Sequence, residues 1–251
     1  MKRIHIEGLW KTFDMGFKKR EGLLPRMFSL ISGKETKREV RVLDNISFQA
    51  QAGENIGIIG KNGSGKSTLL RIIAGIYVPG GGVVTTRGKV IYVNAFGYSL
   101  KPKLTMGENI FLMGLVMGLS QKEIEKKFNE IVSFSGLEDF VNTKVYQFSS
   151  GMLIRLNFSV GIHCVTHQNP DILLLDEIIE TGGDIDFNKK ALQKMEQLIH
   201  GGATVVMASH NLDVIKKYCG FVLLVHNGCI IKSGKPEEVI NFYKENYQLL
   251  V

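Results

Sequence analysis

One run, Gly60-Lys61-Asn62-Gly63-Ser64-Gly65-Lys66-Ser67, constrains this chain more than any other feature. It fits GxxxxGK[ST] and stands between the apolar stretch Asn55-Ile56-Gly57-Ile58-Ile59 and a helical segment that opens near Thr68 and runs over Leu69 to Ile76. A short apolar run bounded by glycines suits a central strand buried on both faces. The glycines let consecutive backbone N–H groups converge on phosphate oxygens, and the helix N-terminus adds positive potential there. In that cradle Lys66 neutralises β and γ oxygens, and Ser67 offers a hydroxyl to Mg²⁺. A glycine-rich turn that merely contains a lysine would have no need of this strand and helix on either side.

Other segments gain meaning from this loop. Asp176 and Glu177 end the apolar run Ile172-Leu173-Leu174-Leu175, so a parallel sheet would deliver two carboxylates at its C-terminal edge, where ligands of such sheets bind. Asp176 is placed to hold Mg²⁺, directly or through water, and Glu177 to orient and deprotonate an attacking water. Without the loop upstream, an acidic pair after a strand reads as a helix cap. Phe148-Ser149-Ser150-Gly151-Met152 precedes a helix through Arg155, Leu156 and Phe158. It reads as an N-cap that could also offer hydroxyls and N–H groups to a phosphate. His210 follows the strand Ala203 to Ala208, at an edge where a ligand could sit or where a loop histidine is simply satisfied.

Organisation along the chain is that of an α/β protein. Strands are expected over residues 2–9, 40–50, 55–59, 89–93, 172–175 and 203–208, and helices over 187–199 and 212–218. Strand and helix alternation means a parallel sheet. Phe221 to Val225 and Cys229 to Lys232 flank Asn227-Gly228, a two-residue hairpin signal, and a last helix starts near Pro236. From Met106 to Val165 the pattern is helical, with Ser120 and Glu123 at capping-box spacing.

Composition excludes several classes. Hydrophobic residues at 44% and charged residues at 22% are ordinary for a globular protein, so neither disorder nor a fibrous repeat is indicated. The longest apolar stretch, Ile110 to Leu119, is too short to cross a bilayer, and the N-terminus lacks the apolar run of a secretory signal, so the chain is expected to stay in the cytosol. Cys164, Cys219 and Cys229 lack CxxC spacing and read as buried thiols rather than a zinc site or disulfide framework. Much of the net charge of +7 lies between Lys18 and Arg41. There Leu23, Leu24, Met27, Phe28, Leu30 and Ile31 fall close to helical spacing among basic residues. Two readings stand: a short amphipathic helix near an anionic leaflet, or a solvated loop with one packed turn.

Taken together and in this order, Gly60 to Ser67, Ser149-Ser150-Gly151-Met152, Asp176-Glu177 and Ser209-His210 resemble the nucleotide-binding subunits of ABC transporters, over nearly the whole chain. The resemblance implies a P-loop NTPase core with a mixed sheet, an N-terminal antiparallel β portion and an inserted helical subdomain at about 97–165, all within one domain of residues 1–251. It implies ATP and Mg²⁺ as ligands and a head-to-tail homodimer in which Ser149 to Gly151 reaches the γ-phosphate held by the opposite copy. His210 becomes the switch histidine, Phe13 the aromatic that stacks on adenine, and Asp184 the D-loop carboxylate. The SSGM signature, the stretch Leu104 to Ile110 and the basic insertion at about 14–39 are similar to exporters of O-antigen, capsule and teichoic acid. The implied role is ATP hydrolysis that drives a lipid-linked polysaccharide through a separate integral membrane subunit, at the cytoplasmic face of the membrane and without nucleic acid.

Departures from the family pattern matter too. Asn94 stands where most such ATPases carry a glutamine, and is expected to take its place near the metal. Gly182-Gly183 lengthens the segment before Asp184. Some members carry a C-terminal carbohydrate-binding domain, which a chain ending at Val251 is not expected to hold. Rival readings are an ABC ATPase of another transporter, one acting on nucleic acid or ribosomes, or a subunit that binds ATP without turnover. The first two share the chemistry, the ribosomal kind commonly needs two ATPase units or a long coiled coil, and Lys66, Asp176 and Glu177 argue against the last.

Overall fold

The structure is a computed structural model and describes residues 1–14, 39–94, 100–177 and 185–246. Its centre is a six-stranded sheet in the order β5-β6-β7-β3-β8-β9, formed by β3 (Asn55–Ile59), β5 (Val90–Asn94), β6 (Ile172–Asp176), β7 (Thr204–Ala208), β8 (Phe221–His226) and β9 (Cys229–Gly234). All neighbours run parallel except β8 and β9, the antiparallel hairpin that Asn227-Gly228 encodes. Asn227 and Gly228 both take positive φ, as a two-residue hairpin turn requires.

Side chains alternate between two cores. Ile56, Ile58, Ile172, Leu174, Val206, Ala208, Leu223 and Val225 face one side. Ile59, Leu173, Leu175, Val205, Met207, Val222 and Leu224 face the other. Burial on both faces is why these strands read as unbroken apolar runs. The first side is covered by helix α1 (Lys66–Ile73) and by a three-stranded antiparallel sheet, β2-β1-β4, made from β1 (Lys2–Asp14), β2 (Glu39–Gln51) and β4 (Gly81–Thr86). The second side is covered by α4 (Ser150–Gln168), α5 (Ile185–Ile199), α6 (Leu212–Tyr218) and α7 (Pro236–Glu245).

A third cluster is helical. Met106, Ile110, Met113, Ile124, Ile131, Leu156 and Val160 join α2 (Met106–Val116), α3 (Gln121–Ser135) and the N-terminal half of α4. Both α2 and α3 begin with complete capping boxes, Thr105 with Glu108 and Ser120 with Glu123. The expected helical run from 106 to 165 is interrupted where Gly118 and Gly136 adopt positive φ, with Gly136 as the left-handed cap of α3. Among the described residues no helix is long and apolar enough to cross a membrane.

The mixed sheet, antiparallel β portion and helical insertion are those expected. Four details differ. Helix α1 starts at Lys66, two residues before the expected opening near Thr68, because Gly65 already acts as its N-cap. Strand β1 continues to Asp14 through register shifts around Gly8, which disguise its alternation. Strand β4 is not among the expected strands, since paired glycines and the exposed Val83 mask it. Cys229 is only partly buried, unlike Cys164 and Cys219, because it sits on the edge strand β9.

Candidate functional site

The loop from Gly60 to Gly65 leaves the C-terminal end of β3 and turns directly into α1. Its backbone needs glycine: Gly60 has φ 147° and Gly65 φ 107°. A Cβ on Gly65 would stand 2.7 Å from Leu43 Cδ2 and 2.9 Å from the Val42 carbonyl, so β2 presses on the loop. The way α1 begins differs from its neighbours. Thr105, Ser120, Ser149 and Asn211 each cap their helices with a side chain, whereas Gly65 gives α1 no side-chain cap and no acidic residue follows in its first turn. The first N–H groups of α1 are therefore left for an external acceptor, in the arrangement that binds phosphate.

Two further polar groups lie in the same cradle. Lys66 is 5% exposed and its Nζ donates to the carbonyls of Gly60 (2.8 Å) and Lys61 (2.9 Å), which holds the ammonium across the loop. Burial lowers its pKa, while Glu177 and then Asp176 oppose that shift. Ser64 Oγ is buried without a hydrogen-bond partner among the described residues, although the Ser64 backbone bonds Lys61 and Gly228. A buried hydroxyl costs free energy unless something bonds it. A bound anion or water would remove that cost.

Helix α1 runs across the sheet to β6, and this carries Ser67 to Asp176: Ser67 Oγ donates to Asp176 Oδ1 at 2.9 Å. The other carboxylate oxygen, Oδ2, accepts from Tyr92 Oη at 2.8 Å. Tyr92 Oη in turn accepts from Arg71 Nε at 3.3 Å and Asn94 Nδ2 at 3.4 Å. Strand register explains the cluster. Tyr92 pairs with Leu174 and Asn94 with Asp176, so residues two apart on β5 and β6 share the face that α1 covers. Ser67 and Arg71, four apart, lie on one side of that helix.

Glu177 follows at the sheet edge with φ 56°, the left-handed region that L-residues occupy at a cost. Its backbone N–H donates to the Ala208 carbonyl at 3.0 Å, which fixes the turn. Strained backbone of this kind concentrates at functional sites. His210 is exposed just after β7, and Ser209 N bonds the Ile58 carbonyl, so both lie along the edge from which the phosphate loop departs.

Not every expected residue joins this cluster. Ser149 caps α4, accepting from Met152 N at 3.3 Å, and Ser150 and Gly151 begin the helix. Ser149 and Ser150 are exposed, and among the described residues none of their hydrogen bonds reaches the phosphate loop. Phe13 packs edge-on against Tyr77 with ring centroids 5.5 Å apart, and the Lys11 ammonium lies 5.1 Å from its centroid. Asn94 meets the Tyr92 hydroxyl, through which it touches the Asp176 network. Asp184 lies outside the described residues, as do residues 15–38 of the basic insertion. Sequence reasoning missed Tyr92 and Arg71. The available signal is a half-buried tyrosine between Ile91 and Val93 on β5, whose hydroxyl finds a partner when it is drawn out of water.

Residues 43–180 match the family profile described as ABC transporter, which spans more than half of the chain. The chain belongs to the ABC transporter family. It carries the ATP-binding, ATP-hydrolysing unit of that family. Among curated relatives of this ABC chain, the O-antigen export system ATP-binding protein RfbB of Klebsiella pneumoniae is 36% identical over 220 residues, 88% of this chain and 86% of that protein. The teichoic acids export ATP-binding protein TagH of Levilactobacillus brevis is 38% identical over 243 residues, 97% of this chain and 65% of the relative. The RfbB of Myxococcus xanthus is 36% identical over 222 residues, and the chain spans only half of that protein's length. Among solved structures, an ATP-binding subunit of an ABC transporter superposes with TM-score 0.71 at 21% identity, covering 99% of both chains. A dimeric ATP-binding cassette in a post-hydrolysis state with ADP and Pi gives TM-score 0.67 at 25% identity, covering 93% of this chain and 98% of that one.

Proposed function

We propose that this chain, read as one domain over residues 1–251 with its helical subdomain at about 97–165, is the ATPase subunit of an exporter of lipid-linked polysaccharide. It would act as a homodimer on an integral membrane subunit at the cytoplasmic face of the membrane. The observation that carries the ATPase part is the closure of the phosphate loop onto the strand-end carboxylate through Ser67 and Asp176. The polysaccharide part is supported by the names of relatives that align over most of the chain.

The residues suggest a division of labour. Backbone N–H groups from Gly60 to Thr68 hold the triphosphate of ATP, and Lys66 balances its charge from inside the loop. Ser67 and Asp176 suit a hard divalent cation: the Ser67 proton is committed to Asp176, which leaves hydroxyl and carboxylate lone pairs as oxygen donors. Mg²⁺ bound there would neutralise charge on phosphoryl oxygens. Glu177 accepts a proton from the attacking water, and His210 lies on the same edge to hold that water or the γ-phosphate. Phe13 offers a ring to adenine, and Asp184 is read as the D-loop carboxylate. Since no hydrogen bond among the described residues ties Ser149 to Gly151 to the loop of its own chain, its exposed helix start is available to meet the nucleotide of a second copy. Asn94, beside Asp176 on the neighbouring strand, relays nucleotide state toward the helical subdomain.

Co-purification with the membrane subunit, followed by identification of the retained glycan, tests the assignment. A retained lipid-linked polysaccharide and ATP hydrolysis that responds to it are expected. An ATPase that binds no membrane subunit and responds to nucleic acid instead would overturn it.

A further inference from the structure

We propose that Tyr92 is a positioning residue for the cation carboxylate, aiming Asp176 at the phosphate loop, and that Arg71 fixes the direction in which Tyr92 acts. The inference rests on the reading of Asp176 as a metal-holding group. Asp176 is 2% exposed, and its two oxygens meet protein donors from opposite sides: Ser67 Oγ at 2.9 Å and Tyr92 Oη at 2.8 Å. Those two bonds pin the rotation of the carboxylate about its own axis, so the remaining lone pairs point in one direction.

The phenol has a single proton, and the geometry decides where it goes. A guanidinium has no acceptor, so Arg71 Nε at 3.3 Å can only donate to Tyr92 Oη. The hydroxyl proton is thereby directed to Asp176 Oδ2, the acceptor within reach at 2.8 Å. Arg71 is itself held: Nη1 donates to Tyr77 Oη at 3.3 Å, its guanidinium lies 5.7 Å from the Tyr77 ring centroid, and that ring packs on Phe13. A continuous set of contacts therefore runs from the aromatic proposed for adenine to the carboxylate proposed for the cation. An ordinary core tyrosine would need only some acceptor for its hydroxyl; this one meets the carboxylate that also bonds Ser67 at the end of the phosphate loop.

The test compares ATP binding to the full chain in EDTA and across a Mg²⁺ titration, read with a fluorescent ATP analogue. Tyr92→Phe removes the hydroxyl, and with it the hydrogen bonds to Asp176, Arg71 and Asn94, and keeps the ring. It should leave affinity in EDTA within about two-fold and raise the Mg²⁺ midpoint about ten-fold. Arg71→Gln, which keeps Tyr92 but frees its proton, should shift that midpoint the same way by about three-fold, and it carries the test if Tyr92→Phe fails to fold. Asp176→Asn is the control. If Asp176→Asn abolishes the Mg²⁺ dependence while Tyr92→Phe and Arg71→Gln titrate like the parent, the positioning role is wrong and the metal reading stands. If Asp176→Asn itself titrates like the parent, the metal reading fails and takes this inference with it.

Discussion

Replacing Glu177 with glycine should separate stability from turnover. The residue sits at φ 56°, where an L side chain costs about 1 kcal/mol or somewhat more, and glycine releases that strain. Glycine also makes the unfolded chain more flexible, which returns about 0.5–1 kcal/mol of the gain. No side-chain hydrogen bond of Glu177 is present among the described residues, and the bond from its N–H to the Ala208 carbonyl is backbone and survives the change. The net effect on folding is then within about 1 kcal/mol of zero, or roughly 3 °C in melting temperature for a chain of this size. Loss of a general base lowers turnover by about 10²–10⁴-fold. Thermal unfolding without nucleotide, paired with phosphate release under saturating ATP, reads both quantities. A variant that melts 10 °C lower would show that the side chain supports the fold, and one that keeps most of its turnover would remove Glu177 from the base role.

Lys66→Ala should weaken ATP binding at least ten-fold in a direct binding assay, since the ammonium held across the loop is lost; unchanged affinity would contradict the cradle. Leu174→Ala, at a site with no solvent exposure between α1 and the sheet, should cost about 3 kcal/mol in urea unfolding, and a cost below 1 kcal/mol would mean that this core is looser than its packing shows. His163 is 6% exposed, and burial depresses its pKa below 6.5, opposed by the hydrogen bond to the Ser159 carbonyl. The native state therefore resists protonation that the unfolded chain accepts, so its contribution is complete above pH 6.5 and declines as pH falls through the depressed folded value. His163→Phe should flatten that part of the stability profile between pH 7 and 5, and an unaltered slope would exclude His163 as its source.

What could be read from the chain follows from how local each signal is. The glycine-rich loop, β3 and the start of α1 are consecutive, so spacing alone puts Gly60 to Gly65 between a strand and a helix, as they are found. Asp176 and Glu177 were legible because a strand buried on both faces gives an unbroken apolar run whose end is easy to see. Tyr92 and Arg71 were not, because their contact with Asp176 depends on the register of β5 against β6 and on the path of α1 across both, which no stretch of sequence reveals by itself. Strand β4 escaped for a related reason: it is held by pairing with β1, and of its two valines only Val84 packs against the core while Val83 is exposed. The relation of Ser149 to the phosphate loop comes from resemblance, since among the described residues no hydrogen bond joins the two segments within one chain.

Nucleotide-driven association of Glu177→Gln, followed by sedimentation velocity with Mg²⁺ and ATP, tests the shared-site account most directly. The prediction is a concentration-dependent dimer with ATP that is absent with ADP and is lost when Ser149 and Gly151 are both replaced by bulky acidic residues. A chain that binds ATP yet sediments as a monomer at every concentration would contradict it.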